Sequence, residues 1–154
     1  MSPAGDAQLW DLIAARREGI LATVRADGSP QLSNILYAVD KASGLVRIST
    51  TAGRAKTRHL QRNPRAAIHV AGDDFWTWAV GEGSVVLSDI AATAGDAACR
   101  ELLEMHSAFY GSQEPEPFYA EMIANRRLVI RLNVERVYGL AAAGGRRPVA
   151  TSSG

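Results

Sequence analysis

The segment Ser49-Thr50-Thr51-Ala52-Gly53-Arg54-Ala55-Lys56-Thr57-Arg58 holds the residue types in this chain best placed to do chemistry. Three hydroxyls end a β-branched run, and cations at Arg54, Lys56 and Arg58 follow where good helix formers begin. The pattern predicts a strand running into a helix over residues 52–62, closed at Asn63-Pro64 because the residue before a proline avoids the helical region. Free amides at a helix start already carry partial positive charge. Basic side chains in that first turn, Arg54 and Lys56, are therefore disfavoured by roughly 0.3–1 kcal/mol each unless an anion sits there. Hydroxyls, amides and cations together would make a phosphate cradle. The plainer alternative is a Thr51 cap followed by a solvated basic helix face. The charge distribution favours an anion: between Asp40 and Asp73 there is no acidic residue, and Lys41, Arg47, Arg54, Lys56, Arg58, Arg62 and Arg65 give +7 in a chain whose net charge is only +1. Something negative is expected near this segment.

No acid/base or nucleophile constellation accompanies the cradle. His59, His69 and His106 are scattered, and neither HExxH nor GxSxG occurs. Cys99 is the only cysteine, which excludes an internal disulfide and a cysteine-based zinc site and leaves packing as its expected role. No metal ligands and no catalytic side chains are assigned. A phosphate cradle without catalytic side chains is what a protein shows when a cofactor carries the reaction. A planar ring would need a wall. Gln31 and Ser33 share one side of a period-two strand and Asn34 adjoins them, so these residues could hydrogen-bond a ring or could form an ordinary polar outer face. Trp76 and Trp78 read as sharing a face, where they could stack on a cofactor, seal a subunit contact or join the core.

The elements that must position these groups follow from patterning. Asp6 to Glu18 places Leu9, Leu12, Ile13 and Arg16 at helical spacing behind an Asp6 cap, with Gly19 ending the helix. GILATVRADGSPQLSNILYAVD reads as two strands joined in a tight hairpin at Asp27-Gly28, and residues 45–50 as a third strand in series. RAAIHVAG and FWTWAVGEGSVVLS are two more strands, the second bent or bulged at Gly81 and Gly83. Helices are expected over residues 93–110 and 117–125, and a closing strand over 126–140. Six or so strands in hairpin order point to a mainly β (α+β) antiparallel barrel with short flanking helices, and no βαβ alternation supports a Rossmann fold. One domain over residues 1–140 fits the 154-residue length, with a disordered tail over 141–154. No apolar run approaches the ~18 residues of a membrane span and no secretory signal is visible, so a cytoplasmic protein without a membrane partner is expected. A nucleic-acid partner is disfavoured because the rest of the chain is net acidic and no aromatic platform accompanies the basic stretch.

GILATVRADGSPQLSN, ISTTAGRAKTRHLQRNPRAAIHV, WTWAVGEGSVVL and RRLVIRLNVERVYGL together resemble the pyridoxine 5′-phosphate oxidase-like split β-barrel proteins, specifically the F-420-dependent flavin/deazaflavin oxidoreductase B branch. The resemblance spans Gly19 to Leu140. It implies an FMN-binding-like split barrel acting as a homodimer, with two cofactor sites at the subunit interface. It further implies that Ser49, Thr50, Arg54 and Lys56 hold the phosphate and tail of coenzyme F-420 with Arg58 nearby, the Thr51 hydroxyl being added by the cradle pattern itself, and that Gln31, Ser33 and Asn34 lie along the deazaflavin ring. Trp76, Trp78, Arg126 and Arg127 would close the site from the other subunit. The activity implied is hydride transfer from reduced F-420 to a conjugated small-molecule acceptor. FMN is the alternative cofactor, and a non-catalytic deazaflavin carrier the alternative role.

Overall fold

The computed structural model describes residues 3–141. The tail expected over 141–154 lies outside these residues apart from Ala141. The elements run α1 (Pro3–Ala15), β1 (Glu18–Val24), β2 (Pro30–Leu36), β3 (Ala38–Asp40), β4 (Leu45–Thr51), α2 (Ala55–Arg62), β5 (Arg65–Ala71), β6 (Trp78–Leu87), α3 (Ala97–Tyr110), α4 (Pro115–Ala124) and β7 (Arg127–Leu140). The seven strands form one antiparallel sheet in the order β2-β1-β5-β6-β7-β4-β3.

Tyr37 explains why this sheet curls. The run expected to be one continuous strand breaks there, so that β2 and β3, separated by a single residue, lie at opposite ends of the strand order. One residue spans only ~3.5 Å, so the two edges must come together and the sheet must roll into a barrel with a split between them. The Tyr37 hydroxyl donates to the Ile13 carbonyl at 2.6 Å and its amide to the Arg17 carbonyl at 2.8 Å, which fixes the break against α1. Burial of the phenol raises its pKa far above the ordinary tyrosine value. The expectation of three antiparallel strands in series is thereby corrected: β4 pairs with β3 and β7, not with β2.

α1 starts and ends three residues earlier than expected, so Asp6 lies in its first turn and is not its cap. Its end is set by pairing, because Glu18 is already opposite Leu36 in the sheet. Leu9 and Ile13 from this helix join Leu21, Ile35, Val46, Ile48, Ile68, Val70, Ile130 and Leu132 in the barrel core. The hairpin at Gly28 is present, with that glycine at φ 88. The bend expected at Gly81 and Gly83 is a register shift between Glu82 and Gly83 that leaves Glu135 of β7 unpaired. A Cβ on Gly83 would sit 1.9 Å from the Asn133 carbonyl oxygen, so only glycine permits this approach.

A second core forms outside the barrel. α3 and α4 pack Leu102, Met105, Phe118 and Met122 over Val129, which faces outward on β7. Ion pairs lock the helical pair to the sheet: the Arg131 guanidinium meets Glu101 bidentately at 2.6 and 3.0 Å, and Arg47 meets Glu104 at 2.9 Å. The start of α3 is capped by Asp96, whose carboxylate accepts amides from Cys99 at 2.8 Å and from Ala92 and Thr93 at 3.0 Å. Those amides hold its carboxyl well below the usual range.

Candidate functional site

The pleat of the sheet sorts the expected site residues into two sets. On β4, Val46, Ile48 and Thr50 face the barrel interior while Arg47 and Ser49 face outward. Thr50 is buried with its hydroxyl unpartnered, so it does not share a cradle with Ser49, and the three-hydroxyl cluster expected from the sequence is corrected accordingly. On β2, Gln31 and Ser33 do share a side, opposite Thr23 and Leu21 of β1, and that side is the interior. Asn34 falls on the other face with Leu32 and Leu36. The buried Gln31 Oε1 also lacks a hydrogen-bond partner.

The outward set converges at the split. Asn34 and Leu36 from β2, Ser49 from β4, Lys56 from α2 and Arg127 from β7 line a hollow of about 350 Å³. Its opposite wall comes from the helical pair, with Leu102, Met105, Phe109, Phe118 and Met122, and its rim carries His106, Tyr110 and Glu121. No sequence pattern marked these helical residues for function, because their spacing is that of an ordinary amphipathic helix; only the docking of α3–α4 across the split puts them opposite Lys56. A larger groove of about 870 Å³ begins across Asn34, Ile35 and Leu36 and runs over Ile20, His69 and Ala71 on the outer sheet face.

The cationic segment changes character once folded. Lys41 pairs with Asp11, Arg47 with Glu101 and Glu104, and Arg65 with Glu135, so three of the seven cations already have acidic partners. Among the described residues, Arg54, Lys56, Arg58 and Arg62 make no ion pair, nor do the neighbouring Arg126 and Arg127. Arg54 is not in the first helical turn as expected but is the N-cap residue of α2, with extended backbone (φ −72, ψ 147) and no side-chain cap. Thr51 is not the cap either; its carbonyl accepts the Thr57 hydroxyl at 3.0 Å. Arg58 is exposed and donates to the Gly53 carbonyl at 2.8 Å. Burial, with the like charges of Arg54 and Arg127, pulls the Lys56 ammonium below the ordinary lysine value. Three cations drawn together, none of them in an ion pair among the described residues, are a site with an unmet demand for negative charge.

Arg127 belongs to the same chain's hollow as Lys56, whereas the resemblance implied a contribution from the other subunit. Its Nη1 donates to Ser49 Oγ at a long 3.4 Å, and its buried Nε has no acceptor. Arg126, at φ 51, is exposed in the turn before β7, where its carbonyl accepts the Ala52 amide at 3.0 Å.

The tryptophans do not share a face. Trp78 opens β6 on the outer sheet surface, stacked on His69 with 5.8 Å between ring centroids and edge-on to Tyr138 at 6.0 Å. Trp76 precedes the strand, half exposed in the β5–β6 turn, and meets Phe75 edge-on at 4.9 Å. The turn is shaped by Asp74, whose carboxylate accepts the Trp76 amide at 2.8 Å and so ends the extended run early. His59 is a core residue: its Nδ1 shares a 3.2 Å hydrogen bond with Thr23 Oγ1, and burial followed by Arg62, Arg25 and Arg58 lowers its pKa. Among the described residues no helix is long and apolar enough to cross a membrane, and no His/Cys/Asp/Glu group could hold a metal ion.

Three comparisons bear on this geometry. A family model described as pyridoxamine 5′-phosphate oxidase matches residues 6–141. An F-420H(2)-dependent biliverdin reductase of Mycobacterium tuberculosis is 30% identical over 129 residues, 84% of this chain and 83% of that protein. Among solved structures, an F-420 reductase shares 25% identity and a TM-score of 0.63, covering 83% of this chain and 94% of its own. A Listeria innocua protein named "Putative Pyridoxamine 5′-phosphate oxidase", 16% identical with a TM-score of 0.65 over 89% and 98% of the two chains, is alike in fold.

Proposed function

Because the chain belongs to the pyridoxamine 5′-phosphate oxidase family, we propose that it is an F-420-dependent reductase acting on a conjugated small-molecule acceptor. The names of two relatives point to that coenzyme. The observation that carries the reading is the group Arg54, Lys56 and Arg58, cationic and, among the described residues, in no ion pair, with Lys56 and Arg127 drawn together at the hollow. A coenzyme with a phosphodiester, a carboxylate and an oligoglutamate tail presents several negative charges in a row. That matches an array of separate cations better than a single phosphate does.

In this reading Arg54, Lys56 and Arg58 hold the tail, and Ser49 adds a hydroxyl. Gln31, Ser33 and Asn34 lie near the ring, from opposite faces of β2. The chemistry the bound coenzyme supplies is hydride transfer from ring carbon five to an electrophilic carbon of the acceptor, which then takes a proton. The protein's part is to bind, orient and exclude water, holding the reacting atoms at roughly 3–3.5 Å.

The working form is a homodimer. Leu32 is 64% exposed, and Leu36, Ile20 and Tyr138 join it in an apolar outer sheet face, with Phe75 84% exposed in the β5–β6 turn. Such a contiguous apolar face marks an interaction surface. A second copy seated there would bring its Trp76 and Trp78 to the groove. Light scattering of the protein and of Leu32→Lys checks this, a monomer in the parent being the contrary result.

Titration of the purified protein with F-420 and with FMN tests the cofactor assignment. Tight F-420 binding that weakens with salt, followed by oxidation of the reduced form by an acceptor, supports the proposal. Preference for FMN would transfer the site to a flavin, and binding without turnover across an acceptor panel would make the protein a carrier.

A further inference from the structure

We infer that the Lys56 amine is a nucleophile set inside the coenzyme's anion site, where it captures small anionic aryl aldehydes as an imine and by doing so shuts the coenzyme out. This names a way of regulating the proposed site and rests on that reading for the exclusion. Residue choice comes first. Of the 17 basic residues in the chain, only Lys41 and Lys56 are lysines. An arginine stays charged and grips phosphate or carboxylate with a fixed fork, whereas a lysine can give up its proton and attack a carbonyl. Lys41 is spent at the surface on an ion pair with Asp11. Lys56 makes no ion pair among the described residues and lies half-buried on the lining of the hollow.

The surroundings favour the free amine. Burial, and then the like charges of Arg54 and Arg127, pull the ammonium below the ordinary lysine value. The other titratable groups on the lining are His106 and Tyr110 of α3 and Glu121 of α4. Glu121 is the one carboxylate there that could hold a proton on Lys56, yet it is exposed at the rim and forms no ion pair with it. Arg127 supplies the complement for an anionic substituent, since its Nη1 makes only the 3.4 Å contact to Ser49 Oγ and its buried Nε has no acceptor. Amine and guanidinium thus line one hollow with Leu102, Met105 and Phe118, whose apolar surface takes the ring. About 350 Å³ is the room of about a dozen waters at ~30 Å³ each, enough for one substituted ring. The covalent step balances without an oxidant or reductant. The Lys56 nitrogen lone pair attacks the aldehyde carbon and one amine proton passes to the carbonyl oxygen; that oxygen then leaves as water with the second proton, and the C=N bond remains. An amine held in this bond cannot serve the coenzyme's anionic groups.

The test treats the full chain with 3-formyl-4-hydroxybenzoate, whose ortho hydroxyl steadies an imine in water, and with 2-hydroxy-5-methylbenzaldehyde as the control lacking the carboxylate. Borohydride fixes the imine as a secondary amine, and mass spectrometry of the peptides locates it. Lys56 should carry the label, at least about tenfold faster from the carboxylate probe than from the control, the ratio a charge-assisted contact supplies. Arg127→Gln should cut that ratio at least about threefold. Lys56→Arg, which keeps the charge and loses the nucleophile, should lower total labelling at least about tenfold with an unchanged circular dichroism spectrum, and Lys41→Arg should leave it within about twofold. The pH at which labelling of Lys56 reaches half its plateau should lie below that of free Nα-acetyllysine. Saturating F-420 should slow the reaction at Lys56 at least about tenfold. Label spread evenly over Lys41, Lys56 and the N-terminal amine, equal rates from the two aldehydes, or full reactivity of Lys56 with F-420 bound overturns the inference; F-420 binding beside an unreactive Lys56 does so while leaving the coenzyme reading intact. Capture at Lys56 as described with no F-420 binding would instead overturn the coenzyme reading and leave the reactive amine standing.

Discussion

Lys56→Met should move stability and cofactor affinity in opposite directions. The ammonium is partly buried with the like charges of Arg54 and Arg127 around it. Methionine keeps the apolar stem and removes the charge. Partly exposed charge contacts are worth about 0.2–1 kcal/mol each, so relief from two repulsive neighbours should stabilise the cofactor-free protein by about 1 kcal/mol. For a chain of this size that is a rise of about 2–4 °C in Tm. The sign of the pH dependence follows from the lowered folded-state pKa. Between that value and the unfolded lysine value near 10.5 the unfolded chain binds the extra proton, so the parent gains stability as pH rises through this window. The variant's advantage should therefore be full at neutral pH and fade in alkali. Coenzyme affinity should fall by about 1–3 kcal/mol, about 5- to 150-fold, as for a lost charge-assisted contact. Differential scanning fluorimetry across pH and titration with F-420 give the two readouts. A variant that melts lower than the parent at pH 7 and binds F-420 with unchanged affinity would refute the reasoning, since Lys56 would then be a structural lysine.

Other perturbations test the frame that holds the site. Gly83→Ala should destabilise by about 3 kcal/mol or more, as its Cβ would collide with the Asn133 carbonyl; Gly53→Ala, with open space around it, should change stability by under about 1 kcal/mol, and urea melts of the pair check the contrast. Asp96→Ala should cost about 1–2 kcal/mol as a lost helix cap. Because the folded pKa of Asp96 is depressed, its contribution is complete above the unfolded value near 3.8 and is lost as pH falls through the folded value, so the gap between parent and variant should begin to narrow in acid-unfolding curves below about pH 4. Tyr37→Phe leaves the Ile13 carbonyl without its buried donor and should lower stability by about 1–2 kcal/mol, with equilibrium denaturation as the measure.

How much of this was legible depended on whether the deciding force was local. The hairpin at Gly28, the stop at Asn63-Pro64 and the irregularity at Gly83 follow from backbone rules that act over a few residues, and the folded chain carries all three. The cationic segment was equally visible. Its meaning was not, because Asp11, Glu101, Glu104 and Glu135 come from distant elements to pair three of its members. Asp74 offers a similar lesson, since accepting the Trp76 amide ends a run whose composition favoured continuation and parts Trp76 from the strand face of Trp78.

Composition and order alone determine that the chain makes an antiparallel β-rich fold with a concentrated positive stretch at a strand-to-helix junction, because alternation, turn residues and charge are properties of neighbours. Tertiary structure decided which of those charges stay unpaired, which hydroxyl of Ser49 and Thr50 faces the hollow, and that Met105, His106 and Met122 look across it at Lys56. Those outcomes rest on the pleat and on the docking of α3–α4 over the split. Both are fixed by contacts between residues tens of positions apart, which no local pattern encodes.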